Sequence, residues 1–271
     1  MRYELPRGYL SASAIRTLQT CPRQYEFRYI EGRIIPPNAA LAVGSMTHRT
    51  LETYYRDAMT SAVRLSPDQA GELSVTVLDD WVRDNEHAMS ADDVEGARRL
   101  LPDAVSAYVR NIGSRLRPLA VEEEVRVTMA CGVPMLAYID LRCTPLDAEG
   151  ERLADYKVTS RKLSMRDLSD SLQFNIYALL TGVSDIEIHN IVKTRGKPAS
   201  KPSFQDGVTD YASNLRTLRH SFDGSQAAHF ERLVEAAARL ITSGVFMPCD
   251  PMAWNCTPEW CGYWKLCRGR G

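Results

Sequence analysis

RLADYKVTS, residues 152–160, decides how the rest of the chain is read. Its alternation is that of a strand, so Asp155 and Lys157, two residues apart, leave the same face. Just upstream, MLAYIDLRC (135–143) reads as a second strand, and TPLDAEGE (144–151) as the hairpin loop between them. Folding this hairpin symmetrically about Asp147 and Ala148 sets Asp140 across from Asp155. Two carboxylates and a lysine then converge on one patch, which is costly unless a cation lies between the acids. Carboxylates with water and phosphate oxygens make a site for Mg²⁺ or Mn²⁺. A lysine beside them can orient an attacking water or stabilise charge developing on a phosphate. The same residues, taken alone, also read as a turn-opening aspartate and an exposed polar face.

Outward from the hairpin the pattern is mixed. LAVEEEVRVTM (119–129) alternates like a strand and ACGVP (130–134) turns it into the next. Downstream, LSDSLQFNIYALLTG (168–182) is a helix ended by Gly182, IEIHNIVKTRG (186–196) a strand, KPASKPS (197–203) a loop, and residues 208–243 read as largely helical. Near the start, residues 10–32 form two short helices, the first capped by Ser11 or Ser13 and the second opened by Pro22. After the loop IIPPNAAL (34–41), a helix carries Gly44, His48 and Leu51 at helical spacing, and amphipathic helices follow at about 67–88 and 92–115. There is no repeat, low-complexity tract or linker. The expectation is an α/β fold, one domain over residues 1–271, with a mixed sheet flanked by helices.

The totals are those of a globular protein: 271 residues, 44% hydrophobic and 25% charged. With 33 basic against 34 acidic residues the net charge of −1 argues against a non-specific nucleic-acid coat, but not against a local basic channel. Apolar runs such as LVEAAARLI are too short to span a membrane, and the start MRYELPRGYL has no basic segment followed by an apolar one. A cytoplasmic protein is expected. There, seven cysteines do not read as a disulfide framework, and clustered ones point to metal. A Walker A loop is missing, so the chain is not itself a motor.

The order GSMTHRTLE (44–52), YIDL (138–141), LADYKVTS (153–160), QFNIYALL (173–180) resembles the PD-(D/E)XK nuclease superfamily, and within it the RecB/AddB-like branch, which includes CRISPR-associated adaptation nucleases and phage RecB-like exonucleases. The resemblance implies a restriction-endonuclease-like core, at about residues 40–205. It makes Asp140 and Asp155 the acidic pair, Lys157 the family lysine, His48 an added metal ligand, and Gln173 and Tyr177 a Q-x-x-x-Y helix motif beside the active site. One helical turn separates Gln173 from Tyr177, so they share a face. Where the family commonly has glycine three residues before the first acid, this chain has Ala137. Glu122 is a further candidate acid, its register left open by the run Glu122, Glu123, Glu124. An imidazole in an oxygen site favours Mn²⁺ over Mg²⁺.

The other cluster is NCTPEWCGYWKLC (255–267), with Cys256, Cys261 and Cys267 spaced C-x4-C-x5-C. A closed zinc or iron–sulfur site needs a fourth thiolate, for which Cys21, Cys131, Cys143 and Cys249 are the candidates. TLQTCPRQYEFRY (17–29) resembles the N-terminal cysteine motif of the iron–sulfur nucleases of the same branch, which implies a [4Fe–4S] cluster on Cys21, Cys256, Cys261 and Cys267. That cluster would join segments 1–35 and 245–271. A four-cysteine Zn²⁺ site is the alternative. Cys249 is a spare, and Cys131 and Cys143 read as apolar packing.

Basic residues flank the acidic site: Lys193, Arg195, Lys197 and Lys201 in one run, Arg161, Lys162 and Arg166 in another, and Lys265, Arg268 and Arg270 near the end. They suit a channel tracking a nucleic-acid backbone. Trp254, Trp260, Tyr263 and Trp264 read as packing over the cysteine site. The expected function is a metal-dependent DNA exonuclease acting on single-stranded DNA or DNA ends in recombination, repair or phage DNA processing, with a recombinase or annealing protein as a possible partner. The alternatives are a non-catalytic nucleic-acid-binding module and a structural partner of a recombinase.

Overall fold

The hairpin forms with the symmetric register expected of it: Leu141 pairs with Ala154, Arg142 with Leu153 and Cys143 with Arg152. These are residues of a computed structural model that describes 4–35, 39–61, 63–85, 88–193, 203–211 and 214–268. Helices α1 (Ala12–Thr20) and α2 (Pro22–Tyr25), the latter running into a π-type turn, precede the long α3 (Ala39–Thr60), α4 (Pro67–Asp84) and α5 (Ala91–Asn111). Strands β1 (Leu116–Thr128), β2 (Pro134–Pro145) and β3 (Arg152–Thr159) follow as an antiparallel meander. Helices α6 (Met165–Ser169) and α7 (Leu172–Thr181) carry the chain over to β4 (Asp185–Val192), which is parallel to β3 and so requires such a crossover. The sheet continues through β5 (Ser203–Gln205), β6 (Val208–Asp210) and β7 (Leu215–Ser221) in the spatial order β1-β2-β3-β4-β7-β6-β5. Helices α8 (Ala227–Thr242) and α9 (Trp264–Arg268) end the fold, an α/β architecture with a mixed sheet flanked by helices.

Local chemistry explains most boundaries. The Ser11 hydroxyl accepts from the Ala14 amide at the start of α1, and Ser66 and Gln69 close a capping box around α4. Gly182 ends α7 at φ +73°, a left-handed turn that a side chain would strain. One expectation fails: residues 208–243 are not one helical stretch, because β6 and β7 precede α8. Leu215 and Leu218 stand three apart like one face of a helix, yet they pair with Ile191 and Ile188 of β4. Satisfying the ladder of that buried strand outweighs the local pattern. The helix expected over 168–182 is also interrupted, and the Asn175 amide donates to both Ser169 and Ser171 carbonyls across the break.

The helices cover the sheet with distinct packing groups. Leu51, Tyr54, Tyr55 and Tyr108 pack with Leu141, Ala154 and Tyr156, whereas Ile15, Phe174 and Val234 pack with Ile139, Leu153 and Ile188. The first group holds a buried polar chain. Arg152 meets Glu187 at 2.6 Å, Glu187 accepts from His189 Nε2 at 3.1 Å, and His189 Nδ1 lies 2.9 Å from the Tyr108 hydroxyl, itself 2.9 Å from that of Tyr55. Tyr156, beside them, is fully buried with an unpartnered hydroxyl. An unpaired buried polar group costs about 1–3 kcal/mol, so two conservative substitutions should diverge. Tyr156→Phe should leave the midpoint of thermal unfolding unchanged or raise it. Tyr108→Phe, which orphans Tyr55 or His189, should lower it by several degrees, as calorimetry of the two variants would read.

Candidate metal centre and active site

Paired residues of β2 and β3 stop at Leu141 and Ala154, and beyond them the two strands part. At this fork the backbone of Tyr156 has lost the neighbour that would complete its ladder, and side chains take that neighbour's place. The Tyr156 amide donates to Asp140 Oδ2 at 2.8 Å. Its carbonyl, which can only accept, receives His48 Nε2 from α3 at 2.8 Å. That bond orients the ring, and His48 Nδ1 is 3.4 Å from Asp140 Oδ2. A ligand imidazole whose other nitrogen donates to a backbone carbonyl is the usual arrangement in metal sites.

Glu122 completes this group, which sequence alone left open. It lies at φ +49°, a left-handed conformation unusual for a side-chain-bearing residue, between the pairs Val121–Leu141 and Glu123–Ile139. Glu123 is bound to Arg142, and Glu124 to Arg126 and Tyr138, so Glu122 alone of the run turns to the site. One ligand atom each from His48, Glu122 and Asp140 lie within 4.8 Å of one another. Burial, then the Asp140 charge, push the Glu122 carboxyl up to about 7. Burial opposes a charge on His48, but the hydrogen bond and charge of Asp140, with the charge of Asp155, outweigh it and raise the imidazole to about 9. A site that must hold protons to keep its acids together is one that a cation would relieve.

Asp155 stands on β3 next to this trio, engaged elsewhere. Lys157 Nζ is 2.6 Å from its Oδ2, and Gln173 Nε2 donates to its Oδ1 at 2.9 Å. Oδ2 nevertheless has no aligned hydrogen-bond donor although Asp155 is only 2% exposed, and burial pushes the carboxyl up. A buried carboxylate oxygen that faces a lysine ammonium, beside an imidazole and two further carboxylates, fits a divalent cation that accepts oxygen and nitrogen ligands. Gln173 also donates to the Tyr177 hydroxyl at 2.7 Å, which donates to the Tyr138 carbonyl at 2.8 Å, and Lys157 donates to Gln173 Oε1 at 3.3 Å. Gln173 and Tyr177 thus position Asp155 and Lys157 and tie α7 to β2, whose next same-face residue is Asp140.

Other expected contacts are less available. Arg161 is held by Asp167, at 2.6 and 3.0 Å, Lys162 by Asp210 and Arg166 by Asp170. Lys193 is half-buried, and Arg195, Lys197, Lys201 and Arg270 lie outside the described residues. Cys21, Cys249, Cys256, Cys261 and Cys267 line one small cavity, to which Trp264 contributes. Tyr263 packs on Phe27, but Trp254 and Trp260 are 71% and 70% exposed, so for them the packing expectation does not hold. Cys143 is buried and Cys131 half-buried against the core.

The chain matches the PD-(D/E)XK nuclease superfamily over residues 9–268 and belongs to that family. Membership supports metal-dependent hydrolysis of nucleic acid, with a divalent ion such as Mg²⁺ or Mn²⁺ and a DNA substrate. No curated protein matches it. Among solved structures it is similar to one described as "Crystal structure of SSO0001", with 12% identity and a TM-score of 0.36 over 83% of this chain and 96% of that one. No helix among the described residues is long and apolar enough to cross a membrane.

Metal must displace the protons this centre holds. Below about 7 both Glu122 and His48 carry one, and between about 7 and about 9 only His48 does. Mn²⁺ affinity should therefore rise with pH, up to about tenfold per unit for each proton displaced, and flatten above about 9. Calorimetry in buffers of different ionisation heat would count the protons released. His48→Ala should remove one of them.

Proposed function

We propose that the chain is a DNA exonuclease of the RecB-like kind, acting on single strands or on DNA ends. The observation that carries this reading is the fork, which gathers His48, Glu122 and Asp140 on one side and Asp155 with Lys157 on the other. His48, Asp140 and Asp155 would hold Mn²⁺ or Mg²⁺, with Glu122 joining them. The bound ion would supply a water of lowered pKa and neutralise phosphate charge. Lys157, released from Asp155 as that carboxylate turns to the ion, is placed to orient the water or to meet charge developing on the phosphate. Gln173 holds both groups in line through one amide.

The second element of the proposal is a [4Fe–4S] cluster on Cys21, Cys256, Cys261 and Cys267. It is supported by the meeting of both chain ends at these thiols. The Arg23 amide donates to the Met247 carbonyl at 3.2 Å, the Cys249 amide to Cys21 Sγ at 3.3 Å, and the Tyr263 hydroxyl to the Arg33 carbonyl at 2.7 Å. A single zinc ion bonded to sulfur at about 2.3 Å needs its four thiolates within about 4 Å of one another. Cys21, Cys256, Cys261 and Cys267 line one cavity together with Cys249, and four cysteine thiolates are the ligand set an iron–sulfur cluster takes. The cluster would be structural, tying segments 1–35 and 245–271 to a core at about 40–205 within one domain. DNA recombination, repair or phage DNA processing, with a recombinase or annealing protein as partner, is the setting these features suit.

The test is purification without air, then digestion of end-labelled linear and of circular single-stranded DNA with Mn²⁺, Mg²⁺ or chelator. Linear DNA should be degraded with metal and circles spared, and Asp155→Asn should reduce the rate at least about a hundredfold. Cutting of circles would make the enzyme an endonuclease, and binding with no cutting under either metal would make it a binding module. Elemental analysis should give about four iron atoms per chain and acid-labile sulfide. One zinc would replace the cluster by a zinc site.

A further inference from the structure

Beside the active site, between α1 and α7, lies a cleft of about 680 Å³, large enough for a drug-sized ligand and so for a nucleotide. It shares Gln173, Tyr177 and Tyr138 with the site, and its far wall carries Arg7, Tyr9 and Arg16. Tyr138 precedes Asp140 by two residues on β2, so the two side chains leave one face of the strand about 7 Å apart. Tyr138 is 49% exposed, yet it is held at both ends. The hydroxyl donates to Glu124 at 2.8 Å, and Glu124 is itself fixed by Arg126 at 2.5 Å. The Tyr138 carbonyl accepts from Tyr177 at 2.8 Å. An aromatic ring fixed at the mouth of an active site and left in solvent adds little to the core. It is a rigid platform.

The wall opposite is cationic. Arg7 lies 5.0 Å and Arg126 5.4 Å from the centre of the Tyr9 ring. Arg16 projects from α1 into solvent, and among the described residues neither it nor Arg7 forms a salt bridge. The acids that reach the cleft, Asp167 and Asp170, are neutralised by Arg161 and Arg166. An exposed ring and two guanidinium groups that form no salt bridge among the described residues match a base and its flanking phosphates.

We propose that this cleft is the path of a single DNA strand, in which Tyr138 stacks the base next to the scissile phosphate while Arg7 and Arg16 hold neighbouring phosphates. The inference rests on the nuclease reading of the site and narrows its substrate to single strands, with the residues that select them. In a duplex each base is already stacked and paired, so a duplex can use Tyr138 only where its end has frayed. Single strands are thereby selected by stacking and not by sequence.

The test measures fluorescence anisotropy of labelled oligothymidylate and of a blunt duplex, in chelator, with the full chain. Tyr138→Ala should weaken single-strand binding about tenfold, Tyr138→Phe should bind within about twofold of wild type, and duplex affinity should not change with either. Arg7→Ala and Arg16→Ala should each lower the slope of log affinity against log salt by about 0.7, one phosphate apiece. Unchanged single-strand affinity in Tyr138→Ala, or an equal loss for duplex and single strand, would overturn the proposal. Wild type incubated with Mn²⁺ keeps the two readings apart. Binding that follows these expectations without cleavage would sink the nuclease and leave the strand path standing, and cleavage with binding indifferent to Tyr138 would do the reverse.

Discussion

Everything in the site follows from the end of a ladder. A strand offers alternate amides and carbonyls to its neighbour, and where the neighbour departs they must find other partners or water. After Ala154 the amide and carbonyl of Tyr156 find Asp140 and His48 instead. The need to satisfy one buried peptide unit thus fixes the position of Asp140 and the orientation of the His48 ring, two side chains of the candidate metal centre. Tyr156 gives the site its backbone and an edge-to-face contact of its ring with His48, 5.4 Å between centres, and the same ring packs among Tyr55, Tyr108 and His189.

That placement makes the electrostatics unavoidable. Asp140 is held among Glu122, Asp155 and His48 by bonds that belong to the fold, so the acids cannot relax apart when the ion is missing. The protein answers with protons on Glu122 and His48 and with Lys157 laid against Asp155. Each supplies positive charge where, on the proposed reading, an ion would sit. Lys157, held here by Asp155 and Gln173, would on that reading be the group left to meet phosphate charge.

Much of this was legible in the sequence for reasons that can be named. The hairpin register followed from loop symmetry, which put Asp140 and Asp155 together, and the i, i+4 spacing put Gln173 beside Tyr177. Glu122 was not resolvable, because in a run of three glutamates the choice depends on one left-handed residue, and no local pattern encodes that. Strand β7 was hidden by leucines at helical spacing, and its identity is decided by an open edge of β4 supplied by distant sequence. Tyr138 went unremarked as one more strand aromatic. Only the hydrogen bonds at its hydroxyl and carbonyl, from residues 14 and 39 positions away, distinguish it from a packing residue.

The meeting of Cys21 with the last cysteines also sets an order of events during synthesis. A chain emerging from the ribosome can close the β1–β4 sheet and bring α3 and α7 to the fork long before Cys267 is made. Contacts of such sequence separation form late. The side chains at the fork would therefore come together while α1 and α2, one wall of the cleft, are not yet held by the C-terminal segment. Arrival of residues 247–263 adds the contacts to Cys21, Arg23 and Arg33 to a sheet that has already closed.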